Sequence, residues 1–133
     1  MAPFTIPVRV YWEDTDAGGV VYHASYLRFM ERARSDWLRS LGIDQSALLQ
    51  DERRQFAVVE ANIRYHRPAR YDDMLLISVR VEELRGASIV MQQEVRRDAA
   101  GNELLISATI RAAGLDSDSL RPRPLPALLT RQL

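Results

Sequence analysis

Apolar and polar side chains alternate over Val8-Arg9-Val10-Tyr11-Trp12, a β-former-rich run that predicts a first strand. Asp, Thr and the Gly18-Gly19 pair break that pattern between Glu13 and Gly19, the chemistry of a turn or loop. From about His23 the period lengthens. Tyr26, Met30, Ala33, Trp37 and Leu41 recur at spacings of four and three, with Arg28, Glu31, Arg32, Arg34 and Asp36 filling the other face. This is an amphipathic helix, closed by Gly42 as C-cap. Asp44 to Leu49 reads as a short second helical piece, with Asp44 in the N-cap position.

After Gln55 the two-residue period returns. Ala57, Val59, Ala61, Ile63 and Tyr65 share one face of a strand, and Arg67-Pro68-Ala69-Arg70 interrupts it. Leu75, Ile77, Val79 and Val81 follow, then a hairpin candidate at Leu84-Arg85-Gly86-Ala87, and then Ile89, Met91, Gln93 and Val95. A turn at Ala99-Ala100-Gly101-Asn102 precedes Leu104, Ile106, Ala108, Ile110 and Ala112. The tail from Arg121 to Pro126 is kept out of a sheet centre, because prolines lack the ladder donor. Short turns favour antiparallel neighbours, and a single apolar helix stripe needs a sheet to cover it. The expected architecture is α+β, an antiparallel sheet packed on one main helix, with residues 1–133 forming one domain.

Composition narrows the function. The 18 basic and 18 acidic residues cancel, which argues against bulk nucleic-acid or anionic-membrane binding. All the basic residues are Arg, so Schiff-base chemistry and a P-loop lysine are excluded. The absence of Cys removes disulfides, zinc thiolates and cysteine nucleophiles. No apolar run reaches the roughly 20 residues of a membrane span, Met1-Ala2-Pro3-Phe4-Thr5 does not resemble a secretory signal, and the expected compartment is the cytoplasm.

Chemistry concentrates in Glu13-Asp14-Thr15-Asp16-Ala17-Gly18-Gly19-Val20-Val21-Tyr22-His23, between the first strand and the long helix. Unpaired N–H groups and the positive dipole end of a helix suit an oxyanion forming on a carbonyl. A carboxylate can attack or activate water, and a histidine moves protons near neutral pH. The competing structural reading is that Asp14 or Asp16 satisfies turn N–H groups and His23 merely opens the helix. Asp14 and Asp16 do not continue into an EF-hand, since Gly18 and Ser25 stand where ligands belong, and two distant histidines make no metal site. His66, beside Arg64 and Arg67, reads as a solvated or interface side chain. Arg70 and Arg85, at strand ends near turns, read as surface cations with reach toward a phosphate.

The run Tyr11 to Leu27, followed by Phe29-Met30-Glu31-Arg32-Ala33-Arg34, closely resembles the YbgC-type acyl-CoA thioesterases of the 4-hydroxybenzoyl-CoA thioesterase-like hotdog superfamily. The resemblance continues through Arg67 to Asp73, Val81 to Arg85 with Ala87-Ser88-Ile89, and the Arg-Pro-Arg-Pro-Leu-Pro tail. It implies a hotdog fold, a curved antiparallel sheet wrapped around one long central helix. It implies homo-oligomers too, either dimers joined edge to edge or dimers of dimers, with sites at the subunit interface. The family's aspartate falls on Asp16 and its histidine on His23, with an oxyanion hole of backbone N–H groups drawn from Tyr22, His23 and Gly19. Arg85 and Ser88 match positions that contact the nucleotide end of CoA, and Arg70 is the third CoA-contact candidate. Gly86 departs from the family, standing where relatives often carry a basic residue.

The implied activity is hydrolysis of acyl-CoA to CoA and a carboxylic acid, with no metal and no cofactor beyond the CoA of the substrate. Asp16 acts as nucleophile or general base, the latter favoured. The alternatives are a hotdog acyl-thioester dehydratase and a non-catalytic module binding acyl-CoA or acyl carrier protein. Acyl carrier protein is a candidate partner, and members of the family are associated with the Tol–Pal system.

Overall fold

The computed structural model describes residues 2–131; Met1, Gln132 and Leu133 lie outside the described residues. Strand β1 (Phe4–Arg9) leads to a single 3-10 turn at Trp12–Asp14, then helix α1 (Ser25–Ser40) and helix α2 (Gln45–Glu52). Four strands follow, β2 (Arg54–Tyr65), β3 (Met74–Arg85), β4 (Ser88–Arg97) and β5 (Leu104–Asp116), before a last helical turn, α3 (Ala127–Thr130). The five strands form one sheet in the order β1-β3-β4-β5-β2, every pair antiparallel. This is the α+β arrangement expected from the pattern.

The stripe on α1 drives the assembly. Phe29 and Met30 are 0% exposed and sit in one core with Leu75, Ile77, Val95, Ile106 and Ile110 of the sheet. Truncating either to Ala would cost about 2–5 kcal/mol, the lost transfer energy plus the cavity left behind. Glu82, Gln92, Arg80 and Arg111 alternate with the core positions and remain partly or fully exposed, the two-sided pattern of an antiparallel sheet covered on one face. Gly42 ends α1 at φ +88°, where an L side chain is strained; its N–H donates to Arg39 O while the Ile43 N–H donates to Leu38 O, satisfying two orphan carbonyls. Asp44 caps α2 through Oδ1, accepting from the N–H of Ser46 and Ala47.

Three features differ from the sequence expectation. The first strand ends at Arg9, because Tyr11 to Asp14 folds into a turn closed by the Asp14 carboxylate. The tail stays outside the sheet, yet it packs: Pro122 bridges Leu115, and Leu125 and Leu129 are buried in the core. Strand β2 lacks the buried face its alternation predicts. A register shift between Val58 and Glu60 makes Val59 an extra residue, and Val58 through Asn62 are exposed on both faces of an edge strand.

Candidate active site

The segment from Tyr11 to Ala24 is tied down by one buried carboxylate. Asp14 is 6% exposed; its Oδ2 accepts from the Tyr11 N–H and its Oδ1 from Arg28 Nη2 of α1, at 2.8 and 3.3 Å. Its own carbonyl accepts from the Tyr22 N–H at 2.8 Å and from the Ser25 hydroxyl at 3.2 Å. Both ends of the loop and the first turn of α1 therefore converge on one residue. Thr15 bridges Val21, Val20 bridges Arg70, and the Val21 N–H donates to Ala69 O, which lays the loop against the segment entering β3.

Asp16 occupies the tip. Its N–H donates to Val20 O at 2.9 Å and its carbonyl accepts from the Gly19 N–H at 3.0 Å, a tight reversal made possible by Gly19 at φ +81°. One carboxylate oxygen, Oδ1, accepts from the Gly18 N–H at 2.8 Å; Oδ2 has no protein partner among the described residues. The side chain is exposed in the single chain.

His23 lies between the loop and α1, its ring centroid 4.5 Å from that of Tyr22. The Tyr65 hydroxyl, at the end of β2, donates to the His23 carbonyl at 3.0 Å. The helix begins without a side-chain cap at Ala24, and the His23 N–H is not donated to any described residue. Of the three N–H groups expected near an oxyanion, those of Tyr22 and Gly19 are taken by Asp14 O and Asp16 O, so His23 is the one left open.

An open cleft of about 190 Å³ adjoins His23, lined also by Val21, Tyr26, Tyr65, His66 and Arg67; Asp16 does not line it within one chain. The buried Tyr26 hydroxyl accepts from the Ala69 N–H at 3.0 Å. Burial raises the Tyr26 phenol above its ordinary range, and that hydrogen bond pulls the other way. His66 Nε2 pairs with the Ser107 hydroxyl at 2.7 Å and remains exposed.

The phosphate-contact candidates separate. Arg70 stands beside the loop with no side-chain partner among the described residues, next to Tyr71, whose ring stacks on Trp12 at 3.6 Å. Arg85 pairs with Glu83 at 2.7 Å, and the Ser88 hydroxyl donates to its carbonyl; both lie at the far end of β3, a strand of about 40 Å from Met74 to Arg85. Within one chain these two do not meet Asp16. Asp14 and Asp16 both satisfy turn N–H groups, as the structural reading of the sequence expected. The ties of Arg28 to Asp14 and of Tyr65 to His23 were not read from the sequence, and nothing local to Tyr65 announces that its hydroxyl reaches residue 23.

Among the described residues no group of three or more His, Cys, Asp or Glu is arranged to hold a metal ion, and no helix is long and apolar enough to cross a membrane.

Comparison with known proteins places the chain. The family model of the thioesterase superfamily matches residues 18–112, taking in His23 and starting just after Asp16. The chain is 47% identical over 123 residues to the acyl-CoA thioester hydrolase YbgC of Escherichia coli O6:H1, covering 92% of this chain and 90% of that one. It is 44% identical over 124 residues to the acyl-CoA thioesterase YbgC of Haemophilus influenzae, covering 92% and 88%. Among solved structures, the 1,4-dihydroxy-2-naphthoyl-CoA thioesterase of Synechocystis superposes with a TM-score of 0.89 at 25% identity, over 97% of this chain and 93% of that one. One long helix packed on a five-stranded antiparallel sheet, an Asp-Thr-Asp loop packed against the start of that helix, and these likenesses agree: the chain belongs to the hotdog thioesterase superfamily and, within it, to the YbgC acyl-CoA thioesterase family.

Proposed function

We propose that the protein hydrolyses acyl-CoA thioesters, with Asp16 as general base. Asp16 takes a proton from water as the water oxygen bonds to the thioester carbonyl carbon. The carbonyl oxygen becomes an oxyanion facing the open His23 N–H at the start of α1. As the intermediate collapses, the C–S bond breaks and the leaving thiolate takes a proton from the His23 imidazolium, which is recharged as Asp16 gives up the proton it took from water. The products are CoA and a carboxylic acid. The observation that carries this reading is the Asp16 carboxylate, exposed at the tip of the loop that leads into α1, with one oxygen free of protein partners among the described residues.

The working unit in this reading is a dimer paired through β2. Its unpaired edge exposes Val58 to Asn62 on both faces, including two Val side chains at 50% and 56%, an edge that a second copy would cover. A twofold axis at that edge reverses strand direction, so the Arg85–Ser88 hairpin of the second copy moves to the end of the sheet where Asp16 lies. Arg70 from one copy and Arg85 with Ser88 from the other then bracket a path for the phosphates of CoA.

A panel of acyl-CoAs with a thiol reagent tests the function. Thiol release by the wild type and its loss in Asp16→Asn, at unchanged oligomeric state, is the expected result. Ligand retention without thiol release would leave a binding module, and loss or gain of water across the acyl chain would mark a dehydratase.

A further inference from the structure

The crossover from β2 to β3, residues 66–73, supports one side of the Asp16 loop. Val20 bridges Arg70, and the Val21 N–H donates to Ala69 O at 2.9 Å. The Val20 carbonyl in turn accepts from the Asp16 N–H at 2.9 Å. On its other side the crossover reaches α1, where the Ala69 N–H donates to the Tyr26 hydroxyl at 3.0 Å. Apart from the Val20 bridge it makes no strand pairing among the described residues. It also holds Asp72 at φ +70°, a left-handed conformation that a non-glycine residue keeps only where its surroundings enforce it.

Arg97, the last residue of β4, supplies that enforcement. Its Nη1 pairs with Asp73 Oδ2, and its Nη2 donates to Pro68 O at 3.1 Å. Nε and Nη2 also reach Glu103 Oε1, at 3.3 and 3.2 Å. One guanidinium, 24% exposed, therefore grips the crossover near both ends and ties it to the start of β5. Asp73 Oδ2 accepts in addition from the Arg70 N–H at 2.8 Å, and Glu103 Oε2 pairs with Arg67 at 3.2 Å. Two cations alternate with two carboxylates, and such a network holds better than an isolated surface pair. Only the planar fork of Arg serves these acceptors together; a Lys ammonium is a single point charge. The path to the candidate site is continuous: Arg97 to Asp73, Asp73 to the Arg70 N–H, Arg70 to Val20, and Val20 O to the Asp16 N–H.

We propose that Arg97 is a positioning residue for the hydrolysis: by fixing residues 68–73 it sets where Val20, and through it Asp16, stands. The consequence for rate rests on the role of Asp16 proposed above; the hold on the loop stands on the contacts alone. A displacement of about 1 Å at a reacting group can cost about 10²-fold in rate, so a remote brace of this kind acts on kcat. The adjacent Arg96 provides the contrast. It bonds to Glu94 and to Asn102 O, each at 3.0 Å, and makes none of these contacts with the crossover.

Amide hydrogen exchange, read residue by residue on the full chain, measures the brace without any turnover. Arg97→Met should speed exchange of the Val21 and Asp16 amides about tenfold or more, while the amides of the β4–β5 ladder keep their wild-type rates. In acyl-CoA hydrolysis the same variant should lose about tenfold or more in kcat, with KM within about twofold of wild type. Arg97→Lys keeps a charge for Asp73 but not the fork, so it should shift both readouts the same way by a smaller factor. It carries the test if the Met variant does not fold. Arg96→Met should change neither readout. Wild-type exchange at Val21 and Asp16 in the Arg97 variants, a rate loss that lies wholly in KM, or an equal loss in Arg96→Met would overturn the proposal. Failure of the hydrolytic reading shows elsewhere, as wild-type thiol release by Asp16→Ala, and the exchange rates then still decide whether Arg97 holds the loop.

Discussion

Asp14 and Asp16 differ by two positions and share a chemistry, yet they end in opposite environments. Asp14 is buried and spends both carboxylate oxygens on a backbone N–H and on Arg28. Asp16 is exposed, with one oxygen on a turn N–H and the other open. Burial turned the first into a fastener and left the second available for reaction. In the proposed mechanism, then, the acid with satisfied acceptors builds the site and the unsatisfied one works in it.

That contrast breaks most sharply at Asp16. Asp16→Ala should lower acyl-CoA turnover by about 10³-fold or more, the scale of a lost general base, at a stability cost under ~1 kcal/mol because its one hydrogen bond is solvent-exposed. Turnover assays beside urea unfolding read both quantities; a near-normal rate in a folded Asp16→Ala protein would refute the assignment. His23→Ala should lower kcat about 10²-fold if the imidazole protonates the leaving thiolate, with KM nearly unchanged. An unchanged kcat would reduce His23 to its backbone contacts. Asp14→Ala should show the opposite balance: a loss of about 1–3 kcal/mol in urea unfolding, modest because Arg28 is half-exposed and regains water, with a smaller fall in rate. A large rate loss at full stability would mean that Asp14, not Asp16, is the reacting carboxylate.

The smallest effect sits beneath the loop. Folding raises the Tyr26 phenol above its ordinary 10.0. The unfolded chain therefore loses that proton first, so the native advantage holds below about pH 10 and fades as pH rises through the raised value. Tyr26→Phe should flatten that alkaline decline in unfolding experiments, and an unflattened curve would assign it to another group.

The fold was legible because its periods are clean: Tyr26 to Leu41 keeps a helical stripe, and the strands after Gln55 alternate. Two kinds of feature were not legible. The run Tyr11-Trp12 has strand composition, but Asp14 three residues after Tyr11 offers a competing local hydrogen bond that folds it into a turn. Nothing in Leu125 to Thr130 reads as core from local pattern, because its burial depends on where the sheet lies in space. At the candidate site, the assignment of Asp16 and His23 rests on the resemblance of the whole loop, whereas the open His23 N–H and the Tyr65 brace depend on contacts from residues far along the chain. Arg85 and Ser88 were matched by position, and only the strand geometry shows that one chain alone keeps them at the far end of the sheet.

The last helical turn has a consequence for how this scaffold diversifies. Leu129, on a four-residue turn outside the sheet, lines a cavity of about 150 Å³ below α1. Segments outside a sheet tolerate substitution and length change far better than paired strands do. The bore of that cavity can therefore be widened or plugged by edits to this short turn, leaving the loop around Asp16 and every strand register untouched.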